Sequence, residues 1–335
     1  MVNIRQMKRY LVLAACFLCM LQVGAVTGYR SITMDDGLPA NTVRNVVQDK
    51  YGFIWLGTDN GLCRYDGMRV QSYHIDEVGA NQYISALTVD DQGLYVGTER
   101  GVFHFCLEQG RFERLPLDIL STVTSLTEDK EQNLWVATIE QGAWCYDRKT
   151  GNVRHFEFNN INGAVTQLLV DKDNQVWALT NRKTPVVQRL NRLHDTFEAV
   201  TLQTSLDARG LALLQTRDGR MWIGSWNDGL FLLHDDGRAE QVLSPAESKV
   251  GSHIHTLYQW KDDCICIGCD DGVICFNPAT RQWHRLFEET TASLSDRFVY
   301  DIASDNEGGL WIGTFYGGVN YVSPVDRRFE AGLQG

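Results

Sequence analysis

The sequence has few of the features that indicate helices or membrane-spanning segments. Long stretches with the amphipathic periodicity of a helix are missing. Only 6 of its 335 residues are proline, so few prolines interrupt the strands. Beyond residues 1–25, no segment approaches the roughly 20 consecutive apolar residues of a membrane helix. We therefore expect an almost entirely β structure.

Motifs that carry catalysis are missing as well. No Gly-x-Ser-x-Gly elbow, phosphate-binding loop or dinucleotide fingerprint follows a strand and opens a helix. His253 and His255 lie two residues apart, where alternate strand side chains share a face, but no third ligand follows at a zinc-like spacing. We predict that the chain is not an enzyme and has no metal or other cofactor. A lyase or hydrolase built from scattered residues is the weaker alternative.

Acidic residues outnumber basic ones. The chain has 42 Asp and Glu against 31 Lys and Arg, a formal net charge of -11. A surface of this sign disfavours nucleic acids and other polyanions, but it tolerates neutral sugars or cations. We expect a small-molecule or oligosaccharide ligand and no nucleic-acid partner.

The amino terminus has the pattern of a secretory signal peptide. Residues 1–25 start with basic side chains, continue with an apolar run over 10–23, and end in the small pair Gly24-Ala25. Cleavage there predicts a periplasmic or secreted protein. A lipid anchor on Cys16 and an uncleaved membrane anchor are the alternatives.

One stretch of sequence recurs along the chain. Residues 53–56 are aromatic and β-branched, residues 58–61 have turn chemistry, and residues 62–65 alternate again, which is typical of a β-hairpin. The position of Trp55 returns at intervals of about 40 to 45 residues, the period of a propeller blade. The later residues at this position are Tyr95, Trp135, Trp177, Trp222, Cys266 and Trp311.

These seven units predict an all-β fold, a seven-bladed β-propeller of four-stranded antiparallel blades over residues 26–330. The recurring tryptophans are expected in the core between blades. Residues 29–33 are expected to complete the last blade beside Val319 to Val322, although residues 328–330 could compete for that place. Residues 331–335 are a tail, which could also begin a further module.

Two cysteines face each other in the predicted sixth blade. The turn at Asp270-Asp271 places Cys266 opposite Cys275, so a cross-strand disulfide or a pair of reduced core thiols is possible. Cys63 and Cys145 lie on third strands, where a small apolar residue packs well.

The candidate ligand site lies on one face of the ring. The loops that lead into each innermost strand, and those between second and third strands, meet around the channel there. Trp226 is an extra aromatic residue on such a loop, and with Asn227 and Asp228 it offers a sugar-stacking ring beside hydrogen-bonding groups. The candidate ligand-binding residues are Trp226, Asn227, Asp228, Arg182, Lys183, Arg100, Tyr316, Arg209, His253 and Tyr83. A wider set around the same mouth includes Arg44, Asp59, His255, Asp270, Arg297 and Tyr300.

The first unit resembles the two-component regulator propeller repeat. The resemblance rests on Gly-Leu-Pro-Ala-Asn-Thr-Val at 37–43, Gln-Asp-Lys-Tyr-Gly-Phe-Ile-Trp-Leu-Gly-Thr at 48–58 and Gly-Leu-Cys-Arg-Tyr-Asp-Gly at 61–67. It is similar to the start of the periplasmic sensor of hybrid two-component systems that control polysaccharide use.

This resemblance implies a propeller that senses a ligand, commonly an oligosaccharide, without kinase activity in this chain. It implies no particular ligand-binding residue, since the repeat motif is structural. The chain is expected to be either a stand-alone ring or part of a longer receptor, whose other modules or a second copy would be its partners. A membrane would be reached only through those modules or through an uncleaved signal segment. A protein-interaction or dimerisation ring is the alternative.

Overall fold

The chain folds into seven β-sheets arranged as the blades of a closed ring. The computed structural model describes residues 29–158, 164–180, 186–202, 210–248, 253–286 and 294–324. Each sheet has four antiparallel strands. The innermost strand of every blade contacts those of its two neighbours, and the first blade contacts the last. The predicted seven-bladed propeller is therefore confirmed.

We number the blades 1 to 7 in chain order. Each blade runs from an innermost strand at the channel, through a second and a third strand, to an outermost strand. The innermost strands are Val43–Gln48, Ile84–Val89, Val123–Glu128, Val165–Val170, Gly210–Gln215, Ile254–Gln259 and Val299–Ser304. The second strands are Ile54–Thr58, Gly93–Thr98, Asn133–Thr138, Val176–Thr180, Met221–Ser225, Ile265–Cys269 and Leu310–Thr314.

The outer half of each blade follows the same order. The third strands are Gly61–Tyr65, Gly101–Cys106, Ala143–Asp147, Val187–Asn191, Leu230–Leu233, Gly272–Phe276 and Val319–Val322. The outermost strands of blades 1 to 6 are Val70–Tyr73, Arg111–Arg114, Val153–Phe156, Thr196–Ala199, Ala239–Leu243 and Trp283–Leu286.

The ring closes through its first strand. Tyr29–Ile32 pairs antiparallel with Val319–Val322 and supplies the outermost strand of blade 7. This closure was predicted from the sequence. Residues 328–330, the proposed competitor, lie outside the described residues, as do the signal-peptide segment and the tail.

Helical turns are short in the described part of the chain. The 3-10 turns are Met34–Asp36, Asp76–Val78 and Lys261–Asp263, and one α-helical turn spans Pro245–Ser248. Among the described residues, we find no helix with the length and apolar character needed to cross a membrane.

The recurring tryptophans lie in the core, as predicted. Trp55 and Trp135 are completely buried, and their indole Nε1 groups each donate to the aspartate that begins the preceding turn, Asp49 and Asp129, at 2.8 Å. The other carboxylate oxygen of Asp129 accepts turn N–H groups. Asp49 and Asp129 therefore cap their turns and also bind the indole N–H. Blades 4 and 7 repeat this indole–carboxylate pair.

Every innermost strand begins with a β-bulge. Between its first and third residues the register to the second strand shifts by one, so the second residue has no partner there. A bulge bends the strand and redirects the extra side chain. The bulge residues are Arg44, Ser85, Thr124, Thr166, Leu211, His255 and Tyr300.

Candidate functional site

The bulges build the site at the face where the innermost strands begin and the second strands end, which we call the channel entrance. The bulge side chains of six blades, from Arg44 to Tyr300, line one cavity of about 530 Å³. Such a volume lies within the range of ~300–1,000 Å³ for small-ligand sites. The sequence predicted this face, but the bulge that aims these side chains into the channel was missed.

In blade 6, two histidines meet one carboxylate. His253 Nδ1 lies against one oxygen of Asp270, and His255 Nε2 lies 2.6 Å from the other. The ring of Trp226, from the neighbouring blade, packs edge-on against His253 with centroids 3.8 Å apart. The carboxylate of Asp270 therefore orients both imidazoles at the entrance.

Four aromatic rings of blade 7 extend this row of contacting side chains. His255 contacts Phe298 and Tyr300, with ring centroids 4.7 and 5.7 Å apart. Phe315 lies 5.4 Å from Phe298 and 4.1 Å from Tyr316. Tyr316 is 70% exposed, whereas the other three rings are half-buried. One continuous aromatic surface thus runs from the channel wall to the rim.

One residue of blade 1 and one of blade 2 complete this row of contacting side chains. Arg44 of blade 1 forms an ion pair with Asp59, with a distance of 2.5 Å between Nε and Oδ1. Its guanidinium carbon lies 4.4 Å from the centre of the Tyr300 ring and 4.9 Å from that of Tyr83. The cation is therefore held between two aromatic faces.

We call this surface the aromatic arc. It comprises the ring-bearing residues of blades 5, 6, 7 and 2, with the Arg44 guanidinium between blades 7 and 2. Its members are Trp226, His253, His255, Phe298, Tyr300, Phe315, Tyr316, Arg44 and Tyr83.

The opposite side of the entrance, in blades 3 and 4, carries hydroxyl groups. We call the set Thr122, Thr124 and Thr166 the hydroxyl side. The hydroxyl of Thr124 donates to the Val165 carbonyl at 2.5 Å, and that of Thr166 donates to the Leu179 carbonyl at 3.1 Å. Two of these three hydroxyls therefore already bond the backbone.

Burial changes the acid–base properties of the arc. It lowers the pKa of His255, although the hydrogen bond to Asp270 acts in the opposite direction. Burial also raises the pKa of the Tyr83 and Tyr300 phenols. At neutral pH the entrance therefore presents a neutral imidazole at His255 and two neutral hydroxyl groups.

A carboxylate lies deeper in the same cavity. Asp301 accepts hydrogen bonds from the N–H groups of Val46 and Ile302, each at 2.9 Å. Burial nevertheless raises its pKa to about 6. The bond to Val46 links blade 7 to blade 1, so Asp301 has a clear structural role.

The structure brings together four of the ten sequence candidates, Trp226, His253, Tyr316 and Tyr83. Asn227 is exposed and Asp228 half-buried on the loop of Trp226. Arg100 is exposed on the blade 2 turn, where its N–H donates to Thr98. Three further candidates, Arg182, Lys183 and Arg209, lie outside the described residues.

Phe298 and Phe315 were missed by the sequence reasoning. Phe298 precedes an innermost strand, as Tyr83 and His253 do, so its position in the repeat could have identified it. Phe315 directly follows a second strand, at the place of Asp59 and Trp226.

Comparison with known proteins identifies a family of sequence repeats in the chain and solved structures that share its fold. Residues 37–60, 207–227 and 293–316 match the family model described as two component regulator propeller. No curated protein sequence matches the chain.

Solved structures with the same fold include extracellular domains from B. thetaiotaomicron. The chain is similar to that of the hybrid two component system BT4673, with 22% identity and a TM-score of 0.76 over 88% of this chain and 39% of that chain. It is equally similar to that of BT3049, with 21% identity and a TM-score of 0.75 over 88% and 41%. The chain therefore spans about two fifths of the length of these domains.

An enzyme shares the fold too. A virginiamycin B lyase from Staphylococcus aureus is 12% identical, with a TM-score of 0.72 over 89% of this chain and 99% of that chain. The chain thus carries two-component regulator propeller repeats in a propeller that resembles the extracellular domains of two-component systems.

Proposed function

We propose that this propeller is the extracytoplasmic ligand-sensing part of a two-component signalling receptor, and that its entrance binds an oligosaccharide. The receptor assignment is supported by the three matched repeats and by the likeness to extracellular domains. The location is supported by the secretory pattern of residues 1–25. On this proposal the chain itself is not catalytic.

The observation that carries the ligand proposal is the aromatic arc. Sugar rings have apolar C–H faces that pack on aromatic side chains and hydroxyl groups that need polar partners. The exposed Tyr316 and half-buried Trp226 and Phe315 offer the faces. Asp59 and Asp270 are half-buried acceptors beside them.

The charges in the arc favour a neutral or weakly charged ligand. The Arg44 cation is already paired with Asp59, and Asp270 already contacts two imidazoles. A strongly charged ligand would have to compete with these partners, whereas sugar hydroxyls can donate to the remaining lone pairs.

Calorimetric titration against a panel of neutral and uronic-acid oligosaccharides tests the proposal. We expect at least one member to bind and the double variant Trp226→Ala, Tyr316→Ala to lose that binding. Tyr51→Ala is the matched control, because Tyr51 is 58% exposed on the turn between the innermost and second strands of blade 1, at the opposite face. Lack of binding across the panel by folded protein would count against the oligosaccharide.

A lyase or hydrolase is the second candidate, and one observation favours it. His255 has a lowered pKa beside Asp270, which suits a general base at the entrance. Incubation with the same panel should then give products that are lost in His255→Ala. Binding without turnover would support the sensor and reject the enzyme.

A further inference from the structure

Blade 6 differs from most other blades at the position that packs between blades. Cys266 occupies the place that tryptophan has in five blades. Six residues earlier, Trp260 occupies the place of the aspartate that accepts the indole N–H in blades such as 1 and 3. The indole–carboxylate pair is thus replaced by a different set of side chains.

Three thiols lie in this space. Cys264 precedes the second strand, Cys266 lies within it, and Cys275 is the direct partner of Cys266 in the third strand. The three Sγ atoms lie within 4.8 Å of one another, and those of Cys266 and Cys275 are 3.7 Å apart. All three side chains are at most 3% exposed. Of the two arrangements that the sequence allowed for Cys266 and Cys275, the structure has the reduced thiols and not the disulfide.

Packing alone requires a small apolar side chain here but not three sulfur atoms. The single cysteines of two other third strands show the simpler case. Cys63 approaches the Leu56 carbonyl, and Cys145 lies beside Arg154. In the part of the chain that the structure describes, no other three His, Cys, Asp or Glu residues bring their ligand atoms this close together.

We infer that Cys264, Cys266 and Cys275 form a three-sulfur binding site for a soft metal ion of the Cu⁺ class. Thiolates are the ligands that select Cu⁺, Zn²⁺ and iron–sulfur clusters. Structural Zn²⁺ takes four ligands, whereas this group offers three. Three sulfurs in one plane with an ion, at the metal–sulfur distance of about 2.3 Å found in zinc sites, would lie about 4.0 Å apart. The sulfurs of Cys266 and Cys275 are 3.7 Å apart, and all three lie within 4.8 Å of one another.

Binding exchanges protons for the metal. All three thiols are buried, and each must lose its proton before its sulfur can bind a metal ion. One Cu⁺ bound by three thiolates releases three protons, and no sulfur is oxidised. Affinity therefore rises with pH.

Anaerobic titration of the reduced protein with Cu⁺, in competition with bicinchoninate, tests the site. We expect one equivalent per chain and an ultraviolet thiolate-to-copper absorption band. Cys266→Ser and Cys275→Ser should each weaken binding more than ~100-fold, because loss of a ligand exceeds the 10–100-fold cost of losing an outer contact. Cys145→Ser, the matched control, should bind as the wild type does.

Three results would overturn the site. These are Cu⁺ binding that survives Cys266→Ser, preference for Zn²⁺ in the same competition, and recovery of the secreted protein with Cys266 joined to Cys275. A thermal melt without metal shows whether each variant is folded. If the strand variants unfold, Cys264→Ala decides, because Cys264 lies outside both strands. The titration needs no oligosaccharide, so its failure leaves the sensor proposal unaffected.

Discussion

The two sides of the channel entrance have the same backbone but different chemistry. At the bulge position, blades 6 and 7 carry His255 and Tyr300, while blades 3 and 4 carry Thr124 and Thr166. The aromatic arc presents rings and charges to the cavity, whereas the hydroxyl side bonds largely to its own backbone. A nearly symmetric ring thus acquires a one-sided site through a few positions in each blade.

A second contrast concerns the third residue of the innermost strand. Asp301 of blade 7, Ser125 of blade 3 and Gln167 of blade 4 each accept an N–H from the fourth residue of the next innermost strand. Each of the three side chains links its blade to the next one, but only the acceptor of blade 7 is ionisable. The arc side therefore has a pH-sensitive link where the hydroxyl side has neutral ones.

The largest effect is expected for Tyr300→Ala compared with Thr124→Ala, since both are bulge positions. Loss of the Tyr300 ring should weaken oligosaccharide binding at least ~30-fold, about 2 kcal/mol, as for a central contact residue. Thr124→Ala should change binding less than ~3-fold. Calorimetry on both variants checks this difference, and an equal loss in both would remove the distinction between the two sides.

A smaller effect is expected for the pH dependence of stability. Because the pKa of Asp301 in the folded state is about 6, above its ordinary value of 3.8, folded protein holds this proton more tightly than unfolded protein. The group's contribution to the unfolding free energy therefore falls as pH rises from about 4 to about 6. Allowing for solvent in the channel, the fall should be about 1–2 kcal/mol.

Urea unfolding between pH 4 and 7 measures this contribution as the difference between wild type and Asp301→Asn. The variant resembles the neutral links of blades 3 and 4, so its stability should fall less over this range. Parallel curves for the two proteins would show that Asp301 is not desolvated.

The smallest effect is expected for the charge of the arc. Asp59→Asn leaves the Arg44 cation unpaired, so a uronic-acid oligosaccharide should bind about 2–5-fold more tightly at low salt, by roughly 0.5–1 kcal/mol. Glu140→Gln changes an exposed carboxylate on the equivalent turn of blade 3 and should have little effect. Equal gains in both variants would indicate a general charge effect instead.

Much of the ring could be predicted because the sequence pattern that identifies each blade lies within that blade. The hairpin around each of Trp55, Trp135 and Trp311, with a turn glycine after it, lies within one blade, and its return at a regular interval needs no long-range contact to be recognised. The closing strand at residues 29–33 was found because the last blade lacked one. Even the face of the site follows from the strand order.

The side chains that meet at the entrance could not be predicted from local patterns. Arg44 lies between Tyr83 and Tyr300 only because the two ends of the chain join. None of the seven bulge residues is itself a glycine or a proline, so the residue type at the bulge position does not mark the shift in register. The sulfur cluster required Cys264 to turn towards the Cys266–Cys275 pair, whereas the sequence indicated only that pair.

A crystal structure of the protein with the tightest-binding oligosaccharide of the panel tests the central claim most directly. The account predicts sugar rings stacked on Trp226, Tyr316 or Phe315, with hydroxyl groups near Asp59 or Asp270. A sugar held only by Thr122, Thr124 and Thr166, or bound away from the entrance, would contradict it.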